Sequence, residues 1–190
     1  MEAFLVSTGI VALSEMGDKT QLLALLLATQ FRRPLPIVAG IFVATIINHL
    51  GAGAVGGWLT HVIGANGLRW ILGLSFLGMA VWMLFPDKLD DASPSASRYG
   101  VFMTTAITFF LAEMGDKTQI ATVALAARFN DLFAVVAGTT LGMMIADVPA
   151  VWFGEWIMKR VPVRKIHIIA ATIFAVLGVL TLLNVGAFFK

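Results

Sequence analysis

Two stretches decide the architecture of this chain: Glu15-Met-Gly-Asp18-Lys-Thr-Gln21 and Glu113-Met-Gly-Asp116-Lys-Thr-Gln119. They are identical at all seven positions and lie 98 residues apart. Each places a Glu, an Asp and a Lys inside a long apolar run, since residues 3–13 and 22–31 carry no charge. Charges in such surroundings need partners, so the two motifs are predicted to meet inside the protein.

The composition is that of a membrane protein. Of the 190 residues, 59% are hydrophobic and only 13% are charged, far from the balance of a soluble domain. The net charge is +2, but the basic residues stand at the ends of apolar runs and form no patch, which argues against a nucleic-acid partner. The absence of cysteine excludes disulfides and thiolate metal sites. The expected partner is the lipid bilayer.

Six apolar runs predict six transmembrane helices: residues 3–31, 34–60, 70–85, 99–127, 132–158 and 166–189. Most are long enough to cross a hydrocarbon core of about 30 Å. The polar segment at residues 87–98 is rich in Ser and Asp and is predicted to be a linker. It divides the chain into residues 1–86 and residues 99–190.

The two halves are predicted to be repeats. The offset of 98 that aligns the motifs also aligns Phe31 with Phe129 and Phe76 with Phe174, without a gap. Three helices per half is an odd number, so the halves would cross the membrane in opposite directions. The predicted fold is therefore an all-α polytopic membrane protein of six helices, arranged as two inverted three-helix repeats.

The distribution of basic residues predicts the orientation. Eight Lys and Arg residues outside the motifs fall in the loops after predicted helices 1, 3 and 5: Arg32, Arg33, Lys88, Arg98, Lys159, Arg160, Arg164 and Lys165. The other side has three: Arg69, Arg128 and Lys190. The positive-inside bias places the linker in the cytoplasm and both termini outside.

Four carboxylates are the predicted metal ligands: Glu15, Asp18, Glu113 and Asp116. On a helix, positions 15 and 18 share a face, so both acids would point into one cavity. Six uncompensated charges at membrane depth would cost on the order of 15–20 kcal/mol, so they must compensate one another. Carboxylate oxygens suit Ca²⁺, Mn²⁺ or Mg²⁺.

The motif lysines, Lys19 and Lys117, are predicted to balance part of this charge. Four carboxylates and two lysines sum to −4 + 2 = −2, which one divalent cation or two protons would neutralise. Crowded carboxylates repel one another, so the site is expected to bind protons and to release them when it binds metal. Such competition is the basis of a cation/proton antiporter, here with the hypothesis of one divalent ion for two protons.

Neutral and relay groups complete the predicted site. Gly17 and Gly115 are expected to bend or break their helices. His49 and Asp147 occupy equivalent positions and are candidates for a proton relay or for a shell around the metal. Additional ligands or supporting groups are expected among the following residues: Thr20, Gln21, Thr118, Gln119, Asn48 and Asp147.

The doubled pattern Glu-x-Gly-Asp-(Lys/Arg)-(Thr/Ser), in two three-helix halves with a polar loop between them, resembles the Gdt-type family of Ca²⁺/Mn²⁺:H⁺ exchangers. The resemblance covers essentially the whole chain. It implies six helices, antiport, and cation binding by the acids at 15, 18, 113 and 116. The short length resembles the bacterial members, which implies Mn²⁺ export, or Ca²⁺ export, across the inner membrane. The metal is then the transported substrate and no cofactor is expected.

Several alternatives stay open at this stage. Glu15 to Lys19 and Glu113 to Lys117 have the spacing of ordinary ion pairs within a helix. An acidic cavity also suits a proton-coupled exporter of organic cations, or a cation channel. An enzyme is disfavoured, because the Gly-x-Gly-Asp pattern of intramembrane aspartyl proteases fails where Glu15 and Glu113 stand. A homo-oligomer is compatible with the sequence.

Overall fold

The computed structural model describes residues 1–85, 100–154 and 163–184, and within them all regular structure is helical. The helices are α1 (Glu2–Glu15), α2 (Lys19–Phe31), α3 (Pro34–Val62), α4 (Ala65–Trp82), α5 (Gly100–Glu113), α6 (Lys117–Phe129), α7 (Leu132–Phe153) and α8 (Val163–Leu182). The predicted linker at residues 87–98 lies outside the described residues. The all-α prediction is confirmed for the part described.

The first apolar run of each half is broken at its motif. Helix α1 ends at Glu15 and α2 begins at Lys19, and α5 and α6 are separated in the same way. Gly17 has φ +85° and Gly115 has φ +76°, a left-handed conformation that only glycine adopts at little cost. The predicted helix breaks are therefore confirmed, and their cause is the glycine in each motif.

Three of the described helices are long and apolar enough to cross a membrane: Pro34–Val62, Leu132–Phe153 and Arg164–Leu182. Gly100–Glu113 is a shorter apolar helix. Because the first apolar run of each half is broken at its motif, it does not form one long helix. Two shorter helices take the place of each predicted span there.

The two halves interlock through matching contacts. Helix α7 packs along α1, and α3 packs along α5. A Cβ added at Gly138 would lie 2.5 Å from the Phe4 carbonyl oxygen, and one at Gly40 would lie 2.9 Å from that of Phe102. These pairs correspond under the offset of 98, so the same backbone approach is made twice. Glycines allow such close packing between apolar helices, where no side chain fits.

Helices α4 and α8 pack against each other beside these interlocked helices. The rings of Phe76 and Phe174 stack with centroids 6.3 Å apart, and both side chains are buried. Gly73 and Gly178 bring the two backbones close at the same contact. Phe76 and Phe174 are equivalent under the offset of 98, so this is a contact between corresponding residues of the two halves.

Candidate cation site

Four helix ends bring the motif acids together. Glu15 and Glu113 are the last residues of α1 and α5, and Asp18 and Asp116 cap the starts of α2 and α6. All four side chains are buried. The free backbone N–H groups at a helix start carry partial positive charge, which favours a carboxylate at this position. The helix breaks thus place each Asp at a helix N-terminus, where the partial positive charge stabilises its carboxylate.

Two ion pairs cross between the motifs. Lys19 Nζ lies 2.8 Å from Asp116 Oδ1, and Lys117 Nζ lies 2.9 Å from Asp18 Oδ2. Each lysine therefore pairs with the aspartate of the other half. The alternative of Glu15–Lys19 and Glu113–Lys117 pairs within a helix is wrong, because a helix break separates those positions.

The breaks also correct the expected geometry of the acids. Positions 15 and 18 do not share the face of one helix, since α1 ends at Glu15. They meet because the chain turns between them and because the second motif approaches. Oxygen atoms of Glu15, Asp18 and Asp116 lie within 4.8 Å of one another, a spacing that suits ligands around one metal ion. Glu113 lies close enough to Glu15 for the two charges to interact.

Threonine hydroxyls orient the two glutamates. Thr20 Oγ1 donates to Glu15 Oε2 over 2.5 Å, and Thr118 Oγ1 donates to Glu113 Oε2 over 3.1 Å. The second oxygen of each carboxylate, Oε1, is buried and has no hydrogen-bond partner among the described residues. A buried carboxylate oxygen is costly unless a proton, a cation or a donor reaches it. These two oxygens are thus suited to a bound cation.

The motif glutamines support the breaks in this structure. Gln21 Oε1 accepts from the Gly17 backbone N–H over 2.9 Å, and Gln119 Oε1 accepts from that of Gly115 over 2.8 Å. Gln21 Nε2 also donates to the Ala146 carbonyl oxygen of α7. The oxygens expected as additional ligands are therefore engaged by the backbone, much as in a capping box.

The polar groups of α3 and α7 are also buried. Asn48 Nδ2 donates to the Phe110 carbonyl oxygen over 3.1 Å, which ties α3 to α5. Both ring nitrogens of His49 and both carboxylate oxygens of Asp147 have no hydrogen-bond partner within the described ranges. Asp147 lies near enough to Glu15 and Glu113 for their charges to interact.

Sequence reasoning did not single out His167, which contacts one break directly. Its Nε2 lies 2.9 Å from the Met16 carbonyl oxygen, so the ring of α8 holds the end of α1. A signal was present, because the equivalent position in the first half is Arg69, also polar. Helices α4 and α8 thus carry a hydrogen-bond donor at equivalent positions.

Comparison with known proteins identifies the family. The family described as divalent cation/proton antiporter GDT1 matches residues 3–91 and 101–187, that is, each half of the chain. The chain belongs to the GDT1 family. Its members are antiporters, so the prediction that the chain is a membrane transporter and not an enzyme is confirmed.

Individual relatives agree with the family. A Vibrio cholerae protein named "Putative manganese exporter" is 45% identical over 182 residues, which cover 95% of this chain and 90% of that protein. A GDT1-like protein of Synechocystis is 27% identical over 95% of this chain and 97% of its own length. GDT1-like protein 5 of Arabidopsis thaliana is 24% identical over 97% of this chain and 96% of its own length. No solved structure matches the chain.

Proposed function

We propose that this GDT1-family protein exports Mn²⁺ across the bacterial inner membrane in exchange for protons, with Ca²⁺ as the second candidate substrate. The observation that carries the proposal is the meeting of buried acids from both motifs, balanced only in part by two lysines. The name of the Vibrio cholerae relative favours Mn²⁺ over Ca²⁺.

The proposed topology has six spans in two inverted repeats, residues 1–86 and 99–190, joined by a cytoplasmic linker at residues 87–98. Each broken pair, α1 with α2 and α5 with α6, forms one span. Discontinuous helices of this kind carry the substrate sites of many secondary transporters near the middle of the bilayer. The excess of Lys and Arg in the loops after spans 1, 3 and 5 supports an orientation with both termini outside.

The four motif acids are the proposed ligands. Glu15, Asp18 and Asp116 supply oxygens within 4.8 Å of one another. Glu113 lies outside that set and is the proposed fourth ligand through Oε1, the oxygen that Thr118 does not contact. Oxygen-only coordination suits Mn²⁺ and Ca²⁺ alike. The threonine hydroxyls fix the orientation of each glutamate, so little ordering is left when a cation binds.

The two motif lysines determine the net charge of the site, which the bound metal ion or the bound protons must neutralise. Because Lys19 and Lys117 pair with Asp116 and Asp18, the four acids and two lysines hold a net −2, which one divalent ion or two protons neutralise. We therefore propose exchange of one metal ion for two protons. Asp147 and His49, buried on α7 and α3, are the proposed proton relay. A net current during exchange in reconstituted vesicles would contradict this stoichiometry.

Metal flux in proteoliposomes tests the proposal. Purified protein is reconstituted, a pH gradient is imposed, and uptake of Mn²⁺ and of Ca²⁺ is followed beside a lumenal pH dye. Saturable metal flux with opposed proton flux is the expected result, with each ion competing against the other. Flux that never saturates would favour a channel, and no metal flux would favour an organic-cation exporter.

A matched pair of variants assigns the flux to the site. Glu15→Gln keeps the size of the side chain but removes a proposed ligand, and at least a ten-fold loss of metal flux is expected. Glu2→Gln removes a carboxylate from the same helix at its exposed start and should retain flux. Full flux in Glu15→Gln would contradict the ligand assignment.

A further inference from the structure

Helices α4 and α8 do not contact the two halves in the same way. Under the offset of 98, α1 corresponds to α5, α2 to α6 and α4 to α8. Helix α8 packs against α1, whereas α4 packs against α6. Between the described residues, contact of α4 with α5 and of α8 with α2 is at most marginal. The contacts among the other described helices are repeated in both halves. Of the helices described, only α4 and α8 have contacts that differ between the halves.

Exposure of the two breaks follows the same asymmetry. Leu13 and Met16 are half-buried near α8. Their equivalents on the other half are exposed, Leu111 at 61% and Met114 at 56%. The first break is thus covered by a helix of the α4–α8 pair, and the second is not.

The donors at the breaks differ as well. His167 on α8 contacts the Met16 carbonyl oxygen over 2.9 Å. Its equivalent on α4, Arg69, has a buried Nε with no hydrogen-bond partner among the residues described. A buried guanidinium nitrogen without an acceptor is costly, so a second position of α4 that supplies an acceptor to Arg69 would be favoured by one hydrogen bond.

We propose that α4 and α8 move as one unit between two positions, and that Arg69 donates to the Met114 carbonyl oxygen in the second position as His167 contacts Met16 in the first. This rests on the proposed exchanger function, in which the two positions open the site to opposite sides. The geometry favours it because the two halves share the motif and repeat most of their helix contacts, so they can exchange roles at little cost in free energy. The Phe76–Phe174 stack joins equivalent residues, so the same stack persists after the exchange.

Pairs of introduced cysteines test the movement, since the chain has none of its own. Leu13 and Ala170 line one small void between α1 and α8, so L13C/A170C reports the first position. The equivalent pair, L111C/L72C, reports the second position. F76C/F174C is the control, expected to cross-link in both. In proteoliposomes treated with a mild oxidant, both reporter pairs should cross-link, and Mn²⁺ or a pH gradient should change their yields in opposite directions.

Variants of the two donors separate positioning from general stability. His167→Ala should lower the yield of L13C/A170C and raise that of L111C/L72C, about two- to ten-fold in their ratio, because it removes one hydrogen bond from one state. Arg69→Ala should shift the ratio the other way. His167→Gln and Arg69→Lys, which keep a donor, should restore it. A general loss of folding would lower both yields together.

Two results would overturn the inference. The first is that L111C/L72C never forms a cross-link under conditions in which the control F76C/F174C does form one. The second is that both alanine variants shift the ratio of the two yields in the same direction. If instead metal flux is absent yet the reporter pairs respond oppositely to a pH gradient, the movement stands and the proposed substrate fails. If metal flux is present but the ratio of the two cross-linking yields stays constant, the proposed movement is wrong and the proposed exchanger function stands.

Discussion

Lys117 is a buried cation that forms an ion pair with a buried carboxylate. Its side chain is 2% exposed, and that of Asp18, its partner across the motifs, is fully buried. The symmetry-equivalent Lys19 is 22% exposed while pairing with buried Asp116. Removal of one member of a buried pair leaves the other charge uncompensated in a medium of low polarity. The two lysines should therefore differ in how much stability they supply.

We expect Lys117→Met to destabilise the protein by about 3–5 kcal/mol, because Asp18 loses its buried counter-charge. Lys19→Met is the matched control and should cost less, since water reaches that lysine. The measurement is the unfolding temperature in detergent, followed by size-exclusion of the heated protein. Equal losses in the two variants would contradict the role given to burial.

The double variant Lys117→Met/Asp18→Asn separates structure from transport. Because it removes both charges, part of the lost stability should return. Metal flux should stay absent if Asp18 is a ligand. Recovery of flux along with stability would place Asp18 outside the site.

At the scale of the elements, the breaks are backbone features set by one glycine each. A Cβ added at Gly115 would meet nothing within 4 Å, yet its φ is +76°. Any effect of a substitution there must therefore arise from backbone conformation and not from a clash. Gly115 is therefore a suitable position at which to test the backbone conformation of the break.

Gly115→Ala should destabilise the protein by about 1–2 kcal/mol, the cost of a left-handed conformation for a residue with a Cβ. Gly115→Asn should cost less, because Asn tolerates that region. Gly9→Ala, inside α1 with open space around the added Cβ, is the control and should be neutral or slightly stabilising. Thermal unfolding of the three variants measures the order, and a neutral Gly115→Ala would contradict the break geometry.

At the scale of the whole molecule, the site joins the two halves. Its two ion pairs both cross between the motifs, and its proposed ligands come from both. A cation bound there would connect the halves more strongly, so binding should stabilise the entire fold and not one repeat alone. The helix breaks and the interlocked helices around them link the site to the rest of both halves.

Mn²⁺ should therefore raise the unfolding temperature of the protein. At 100 times the dissociation constant, ligand binding to the folded state alone adds about 2.7 kcal/mol. Glu113→Gln and Glu15→Gln should each reduce the shift, although they lie in different halves, while Glu2→Gln should retain it. A shift lost in only one of the two motif variants would indicate a site confined to one half.

The sequence predicted much of this protein because its signals are local and strong. Charges inside apolar runs, repeated at a fixed offset, indicate membrane helices, a duplication and an acidic site. The glycine in each motif indicated the break. The partner of each lysine was not predictable, because Glu and Asp of the same motif are nearer along the chain than the Asp of the other half.

By itself, the sequence determined the helical class, the doubled motif and the family pattern, and it predicted the four acids as ligands, since these depend on residue type and spacing alone. Only the tertiary structure decided the crossed pairs Lys19–Asp116 and Lys117–Asp18, the backbone role of Gln21 and Gln119, and the contact of His167 with the first break. Each depends on how distant helices pack. The two halves share the motif and repeat most of their helix contacts, so the packing of α8 on α1 and of α4 on α6 could be read only from the structure.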